Sequence, residues 1–334
     1  MIHPIPEGTR DILPDEMLEL RRIEQALRET FLGAGYGEVA TPALEYHAVL
    51  ERGGGTRSAF RIFDETGGML ALRSDITVPI ARLVQSRLNA IEPPHRLCYF
   101  GNSYRSIRPQ RGQMREFMQA GIELVGGGGQ EPATTEVIRV LSSALDAIGL
   151  TRAVIGLGDA DLYRALMVEI GLAEPERDAI LAALLKHDLV ELRALVVAAG
   201  GLQEGHRRAL IEIPTMRGGP EVIACAIAVG GEPVRRASDR LARTCAMLDD
   251  LGIADRVQLD LGLLRDLDYY TGVILEVYDP ALGHILGGGG QYDALLGRYG
   301  PEMPATGFSL YVERLHIAQA EEERISRAEA AGPD

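Results

Sequence analysis

Arg105, Arg108, Arg111 and Arg115 fall within eleven residues, and the segment that follows them alternates. In FMQAGIEL (117–124), Gln119, Gly121 and Glu123 share one face of a strand, while Met118, Ala120, Ile122 and Leu124 share the other. The apolar set suits a core. The polar set spans ~13 Å by strand rise, with a glycine between that lets a ligand approach the backbone. Guanidinium groups bind carboxylate or phosphate bidentately, and Gln and Glu add an amide and an acceptor. Together they suit a small zwitterion. A solvent-facing strand beside a solvated cationic loop accounts for the same segment.

Two further segments carry polar groups worth weighing. LRSDIT (72–77) sets Asp75 and Thr77 at the start of a segment interrupted by Pro79. Both residue types cap helices. A carboxylate and a hydroxyl also accept from an ammonium group. RDLDYYTG (265–272) sets Arg265 before Tyr269 and Tyr270. The arginine suits a carboxylate and a phenol can bond an imidazole nitrogen; a salt-bridged strand end with core tyrosines is the plainer alternative. The glycine runs at 53–55, 126–129 and 287–290 lack a following Lys-Ser/Thr and the strand–GxGxxG–helix context, so they are not phosphate loops. The run at 126–129 reads as a turn, and 287–290 as close backbone packing or a pocket wall. Dispersed histidines without HxH or HExxH spacing point away from a metal site.

Composition narrows the classes. The net charge is −14 and Lys186 is the single lysine, whereas nucleic-acid binders need a basic footprint. There is no apolar run of membrane-spanning length, and the N-terminus has no apolar leader. Cys98, Cys225 and Cys245 form neither a disulfide framework nor a zinc spacing. The expectation is a cytoplasmic protein with no metal, no cofactor, no nucleic acid and no membrane partner. With 334 residues the chain fits two domains, or one with an insertion.

The pattern predicts a helix over 15–34, a strand within GYGEVATPALEY, and a hairpin of 60–63 with 69–72 around DETGG. It predicts a helix over 75–89 broken at Pro79, then antiparallel strands in RLCYFGNSYR and REFMQAGIELVG, and a helix over 134–149. Helical texture fills 158–250. Alternation returns at 257–263, another hairpin joins 273–278 to 284–288, and a charged helical tail starts at His316. The final AGPD is expected to fray. Strands interrupted by a helical block give an α+β class with a helical insertion.

TRDILPDE, LALRSDIT, YRSIRPQRGQMREFMQAGIE, RDLDYYTG, GGGGQYDALL and GFSLYVERL, in this order, resemble histidyl-tRNA synthetase and its paralogue, the ATP phosphoribosyltransferase regulatory subunit. The resemblance spans about residues 5–318. It implies a class II synthetase-like antiparallel sheet flanked by helices, with 1–157 and 254–320 as core, 158–253 as helical insertion and 321–334 as a C-terminal tail. It implies a histidine pocket as well. Asp75 and Thr77 match the positions that hold the α-amino group, and Arg105 the motif 2 arginine for a carboxylate or phosphate. Gln119 matches the amide facing the amino and carboxylate groups. Glu123 and Tyr270 match the imidazole-binding pair, Arg265 and Tyr269 belong to the histidine-specific RGLDYY motif, and Tyr292 matches the tyrosine of GGRYD.

The adenylation residues depart from that pattern. The synthetases carry Phe-Arg-x-Glu in motif 2, with the glutamate on adenine; here Tyr104, Arg105, Ser106 and Ile107 stand there, and isoleucine accepts no hydrogen bond. Gln113 replaces an arginine, Asp266 and Tyr311 each replace a glycine, and Arg314 is retained. A ring at 311 implies crowding of the ATP pocket. A synthetase continues into an anticodon-binding domain, whereas a short acidic stretch follows here, so no such domain is expected. ALLKHDLVELRAL and PTMRGGPEVI also resemble the regulatory subunit. The resemblance therefore implies a non-catalytic regulatory subunit in the first step of histidine biosynthesis. It would form a hetero-oligomer with the short catalytic ATP phosphoribosyltransferase, activate it and mediate feedback by histidine, with a homodimer through the core. A degenerate histidyl-tRNA synthetase and a free-standing histidine sensor are the alternatives.

Overall fold

A proline in the first turn of a helix sacrifices no hydrogen bond, and acids there complement the exposed N–H groups. Helix α1 (Pro14–Gly33) begins in this way with Pro14, Asp15 and Glu16. Its Leu20, Ile23, Leu27 and Phe31 recur at helical spacing and are buried. Each such side chain contributes about 1.5–3 kcal/mol by leaving water.

The computed structural model describes residues 4–54, 58–107, 114–264, 269–282 and 284–331. After α1 come β1 (Gly37–Glu38), β2 (Leu44–Tyr46), α2 (His47–Arg52), β3 (Arg61–Phe63), β4 (Met69–Leu72) and α3 (Thr77–Leu83). Then follow β5 (His95–Tyr104), β6 (Glu116–Val125), α4 (Gln130–Ala147) and β7 (Val154–Asp159). Helices α5 (Ala160–Glu169), α6 (Glu174–Leu185), α7 (Leu189–Ala198) and α8 (Glu204–Glu212) lead to the short β8 (Arg217–Gly218) and to α9 (Glu221–Asp250). The chain closes with β9 (Val257–Asp260), β10 (Val273–Tyr278), β11 (Ile285–Gln291), β12 (Ala305–Tyr311) and α10 (Val312–Ala331).

Nine strands form one sheet in the order β1-β5-β6-β12-β11-β10-β7-β9-β8. It is antiparallel except for the β1–β5 and β7–β9 pairs. The expected class II synthetase-like architecture is present, with helices against the sheet. Strands β2, β4 and β3 make a separate small sheet. The apolar face of β6, with Ala120, Ile122 and Leu124, joins one core with α1, α4 and the 160–250 helices. A second core gathers α3, Tyr99, Tyr269, Tyr270 and Tyr292.

Several expected boundaries move, each for a local reason. Pro79 does not break its helix: it lies in the first turn of α3, where a missing N–H is tolerated, and the helix continues as a wider turn over Val84–Leu88. Helix α4 starts at Gln130, a turn before Thr134, because Gly129 turns the chain with a positive φ. GYGEVATPALEY supplies two strands in different sheets rather than one. The alternation of 257–263 outruns its strand, since β9 ends where Asp260 accepts from the Gly262 N–H at 2.9 Å. VIGLGD was not foreseen as a strand and forms β7. Asp159 at its end caps α5 by accepting from Asp161 and Leu162, and pairs with Arg240 of α9 at 2.8 and 3.0 Å. The last three residues of AGPD lie outside the described set. Among the described residues no helix is long and apolar enough to cross a membrane.

Helix α10 is docked by a buried acid. Glu322 accepts from the backbone N–H groups of Thr151 and Arg152, each at 3.0 Å. Asp279, fully buried at the end of β10, adjoins it; one oxygen accepts from Ala281 and the other has no donor. Burial, then the neighbouring Glu322, push the Asp279 carboxyl from 3.8 up to about 6. The folded chain thus holds a proton that the unfolded chain releases. This contribution to stability is complete below pH ~4 and is lost as the pH rises through about 6. Asp279→Asn cannot ionise and should melt at least ~2 °C above the wild type at pH 7, with the gap closing toward pH 4. Melting curves that superimpose at both pH values would refute this assignment.

Candidate functional site

Strand register turns the polar side of β6 into a floor of three rows. Gly121 lies between Tyr99 of β5 and Ser309 of β12. Gln119 lies between Gly101 and Tyr311, and Glu123 between Leu97 and Gly307. Directly paired residues point to one face. That face is not open to solvent: Gln119 is 4% exposed and Glu123 1%. The solvent-facing reading of this strand is therefore set aside. A Cβ on Gly121 would stand 2.2 Å from the Phe308 carbonyl and 2.5 Å from the Tyr99 hydroxyl. One on Gly307 would stand 1.8 Å from Glu123 Oε2 and 2.3 Å from the Ile122 carbonyl. Glycine is what lets polar atoms lie flat against the sheet here.

Glu123 is the best-held group on the floor. The Thr77 hydroxyl, at the first position of α3, donates to Oε1 at 2.7 Å, and the Tyr292 hydroxyl donates to Oε2. Burial pushes the carboxyl up to about 8; the Tyr292 and Thr77 hydrogen bonds oppose this and the nearby Asp75 adds to it. Asp75 divides its two oxygens. Oδ1 accepts from the Val78 N–H at 2.9 Å, as a helix cap would. Oδ2 is buried and has no partner, and burial raises the carboxyl above its ordinary range. Tyr269 packs against Tyr270 and Tyr292, with ring centroids 4.8 and 5.8 Å apart.

At the other end, Gln119 is fixed by two serines. Ser103 donates to Oε1, and Nε2 donates to Ser309 at 2.7 Å. Beyond it the Tyr311 ring lies edge-on to Phe117 at 5.4 Å, with the Arg314 guanidinium 4.6 Å over its centre. Arg105 stacks on Phe117 at 4.8 Å and donates to the Tyr311 hydroxyl at 3.3 Å. The ring at 311 is thus gripped by an aromatic group and two cations.

Of the residues expected in a site, Asp75, Thr77, Gln119, Glu123, Tyr269, Tyr270 and Tyr292 gather over this floor, and Arg105 lies at its Gln119 end. Arg265 lies outside the described residues, as do Arg108, Arg111, Gln113 and Asp266. The sequence reading missed Tyr99, Ser103 and Ser309. Period two within β5 would have put Tyr99, Gly101 and Ser103 on one face; only pairing with β6 shows that this is the polar floor. A cavity of about 440 Å³ opens beside Leu20, Glu24, Met118 and Glu313, away from the floor. Three of its four acids, Glu24, Glu116 and Glu313, accept from Arg21, Asn102 and the Met118 N–H, and the fourth, Asp11, is exposed. Asp75 on the floor keeps an unused oxygen, so the floor is the stronger site.

The family model for histidyl-tRNA synthetase matches residues 8–315. A curated ATP phosphoribosyltransferase regulatory subunit from Symbiobacterium thermophilum is 40% identical over 324 residues, covering 95% of this chain and 80% of that one. One from Moorella thermoacetica is 38% identical over 322 residues, covering 95% and 82%. The chain belongs to the ATP phosphoribosyltransferase regulatory subunit family. A solved member, described as an ATP phosphoribosyltransferase regulatory subunit/histidyl-tRNA synthetase from Bacillus halodurans C, superposes with a TM-score of 0.88 at 31% identity. It covers 96% of this chain and 84% of that one. The apo histidyl-tRNA synthetase of S. aureus, at 24% identity and a TM-score of 0.65 over 96% of this chain and 75% of its own, shares the fold. In this family member the floor depends on its glycines. Gly307→Ala should cost about 1–3 kcal/mol, because the new methyl meets backbone as well as Glu123. Thermal denaturation at an unchanged midpoint would show that the floor yields more easily than this geometry allows.

Proposed function

We propose that this chain holds free histidine on the β6 floor and passes that signal to a short ATP phosphoribosyltransferase catalytic subunit, doing no chemistry itself. The observation that carries the reading is a buried Asp75 oxygen that accepts no hydrogen bond, near a buried Glu123, over a floor kept low by glycines. An ammonium group suits the first, and an imidazole ring suits a carboxyl held in place by Thr77 and Tyr292. Arg105 and Gln119 supply donors for a carboxylate. Feedback then follows if histidine binds one assembly state more tightly than another, a coupling of typically ~1–3 kcal/mol.

The synthetase alternative is disfavoured by the names of the relatives and by the residues where a nucleotide would be needed. The Ile107 side chain offers no acceptor, and the Tyr311 ring lies edge-on to Phe117 with Arg314 over its face. A free-standing sensor fits the pocket equally, and co-purification with a phosphoribosyltransferase subunit discriminates it. Glu123→Ala should weaken histidine binding several-fold or more in calorimetry. Equal binding by wild type and variant, or binding by neither, would mean that the pocket is an inherited fossil. Histidine-dependent ATP–pyrophosphate exchange by the purified chain would favour the synthetase instead.

A homodimer through the core is part of the same reading. The outward face of the small sheet carries Leu44, Tyr46 and Ile62, all exposed, in register with half-buried Leu70 and Leu72. A contiguous apolar face of this kind marks a contact surface. Ile62→Glu should shift the chain toward monomer in light scattering coupled to size exclusion. An unaltered mass would place the dimer contact elsewhere.

A further inference from the structure

A helix on a protein surface turns an apolar stripe to the core and a polar face to water. Helix α7 departs from this. Apart from Glu191 and Arg193, every residue of Leu189–Ala198 is apolar. Leu192 and Val196 are buried and make its inward face. On the outward face Val190 is 82% exposed and Val197 65%, and Ala194 between them is exposed too. Exposed valine is a poor helix former and gains nothing from packing there. Val190, Arg193, Ala194 and Val197 stand at i, i+3, i+4 and i+7, the four corners of a hole that takes a side chain from a second helix. The strip runs about 10 Å along the helix. It belongs to ALLKHDLVELRAL, a segment that the floor does not use.

The turn before α7 holds this face in place. Among the described residues His187 is the one non-glycine with a positive φ, 54°. Its N–H and that of Asp188 donate to the Leu184 and Ala183 carbonyls, each at 2.9 Å, a helix end at which glycine is usual. Asp188 then caps α7 by accepting from the Glu191 N–H at 2.8 Å. A strip displayed on a fixed helix loses little freedom on binding. Charge narrows the partner. Lys186, the single lysine, and Arg193 are exposed, and neither has an acidic partner among the described residues. We propose that the outward face of α7 docks the short catalytic phosphoribosyltransferase subunit. It would take a helix whose apolar side chain enters between Val190 and Val197 and whose flanking acid meets Arg193. This rests on the regulatory reading given above. A second copy of this chain suits the face less well, since antiparallel pairing of two α7 helices sets Arg193 beside Arg193, a like-charge contact.

The test titrates the full chain with the short catalytic subunit by calorimetry and measures the chain's own mass by light scattering. Val190→Glu and Val197→Glu change exposed positions, and unchanged circular dichroism and melting confirm the fold. The expected result is that each weakens association with the catalytic subunit about tenfold or more, while histidine binding and the mass of the chain alone stay as in the wild type. Arg193→Glu should weaken association as well, with a smaller loss at high salt. If both valine variants bind the catalytic subunit like the wild type, α7 is not the dock and the proposal fails. If they lower the mass of the chain alone and leave that association unchanged, the face joins copies of this chain and the proposal is overturned. If the wild type does not bind the catalytic subunit at all, the regulatory reading fails first and takes this inference with it.

Discussion

Everything about this site depends on keeping the Glu123 carboxyl buried above the sheet. A buried carboxyl without donors is expensive to hold, so the fold brings donors to it from distant parts of the chain. Thr77 arrives on the first turn of α3, and Tyr292 on the segment after β11. Gly307 on β12 clears the space in which the carboxyl lies. Three elements far apart in sequence are fastened at one side chain. The aromatic packing of Tyr269, Tyr270 and Tyr292 closes the site around it.

Much of this was legible in the residues. The period-two pattern of FMQAGIEL separates core from floor, and the structure buries Ala120, Ile122 and Leu124 on the expected side. What one strand cannot reveal is its neighbours. Whether Gln119 faces water or a cavity is decided by β5 and β12 beside it and by α3 above. For the same reason Tyr99, Ser103 and Ser309 escaped notice: each is an ordinary strand residue until register lines it up with β6. Local chemistry misled at Pro79, where position within a turn outweighs identity. It also misled at α4, where a glycine with positive φ sets the start before the threonine that looks like a cap. Asp75 was open between cap and clamp because the cap occupies only one of its oxygens.

The two halves of the opening segment have different fates. The strand half builds a buried floor rich in donors and acceptors. The loop half keeps cations, but Arg105 stacks on Phe117 and hydrogen-bonds Tyr311, with no carboxylate partner needed. A guanidinium held flat against rings is restrained, so the end of the floor near Gln119 is more rigid than a solvated arginine loop would be.

Tyr311 also bears on what the site can be confused by. A cell holds adenine nucleotides in large excess over most free amino acids, and an empty aromatic–arginine slot beside an amino-acid floor would be a standing invitation to them. Under the proposed reading, the Tyr311 ring takes the place such a competitor would need, covalently attached and therefore present at an effective concentration that no diffusing molecule matches. Occupancy of the neighbouring floor would then track amino-acid supply alone, insulated from swings in cellular energy charge.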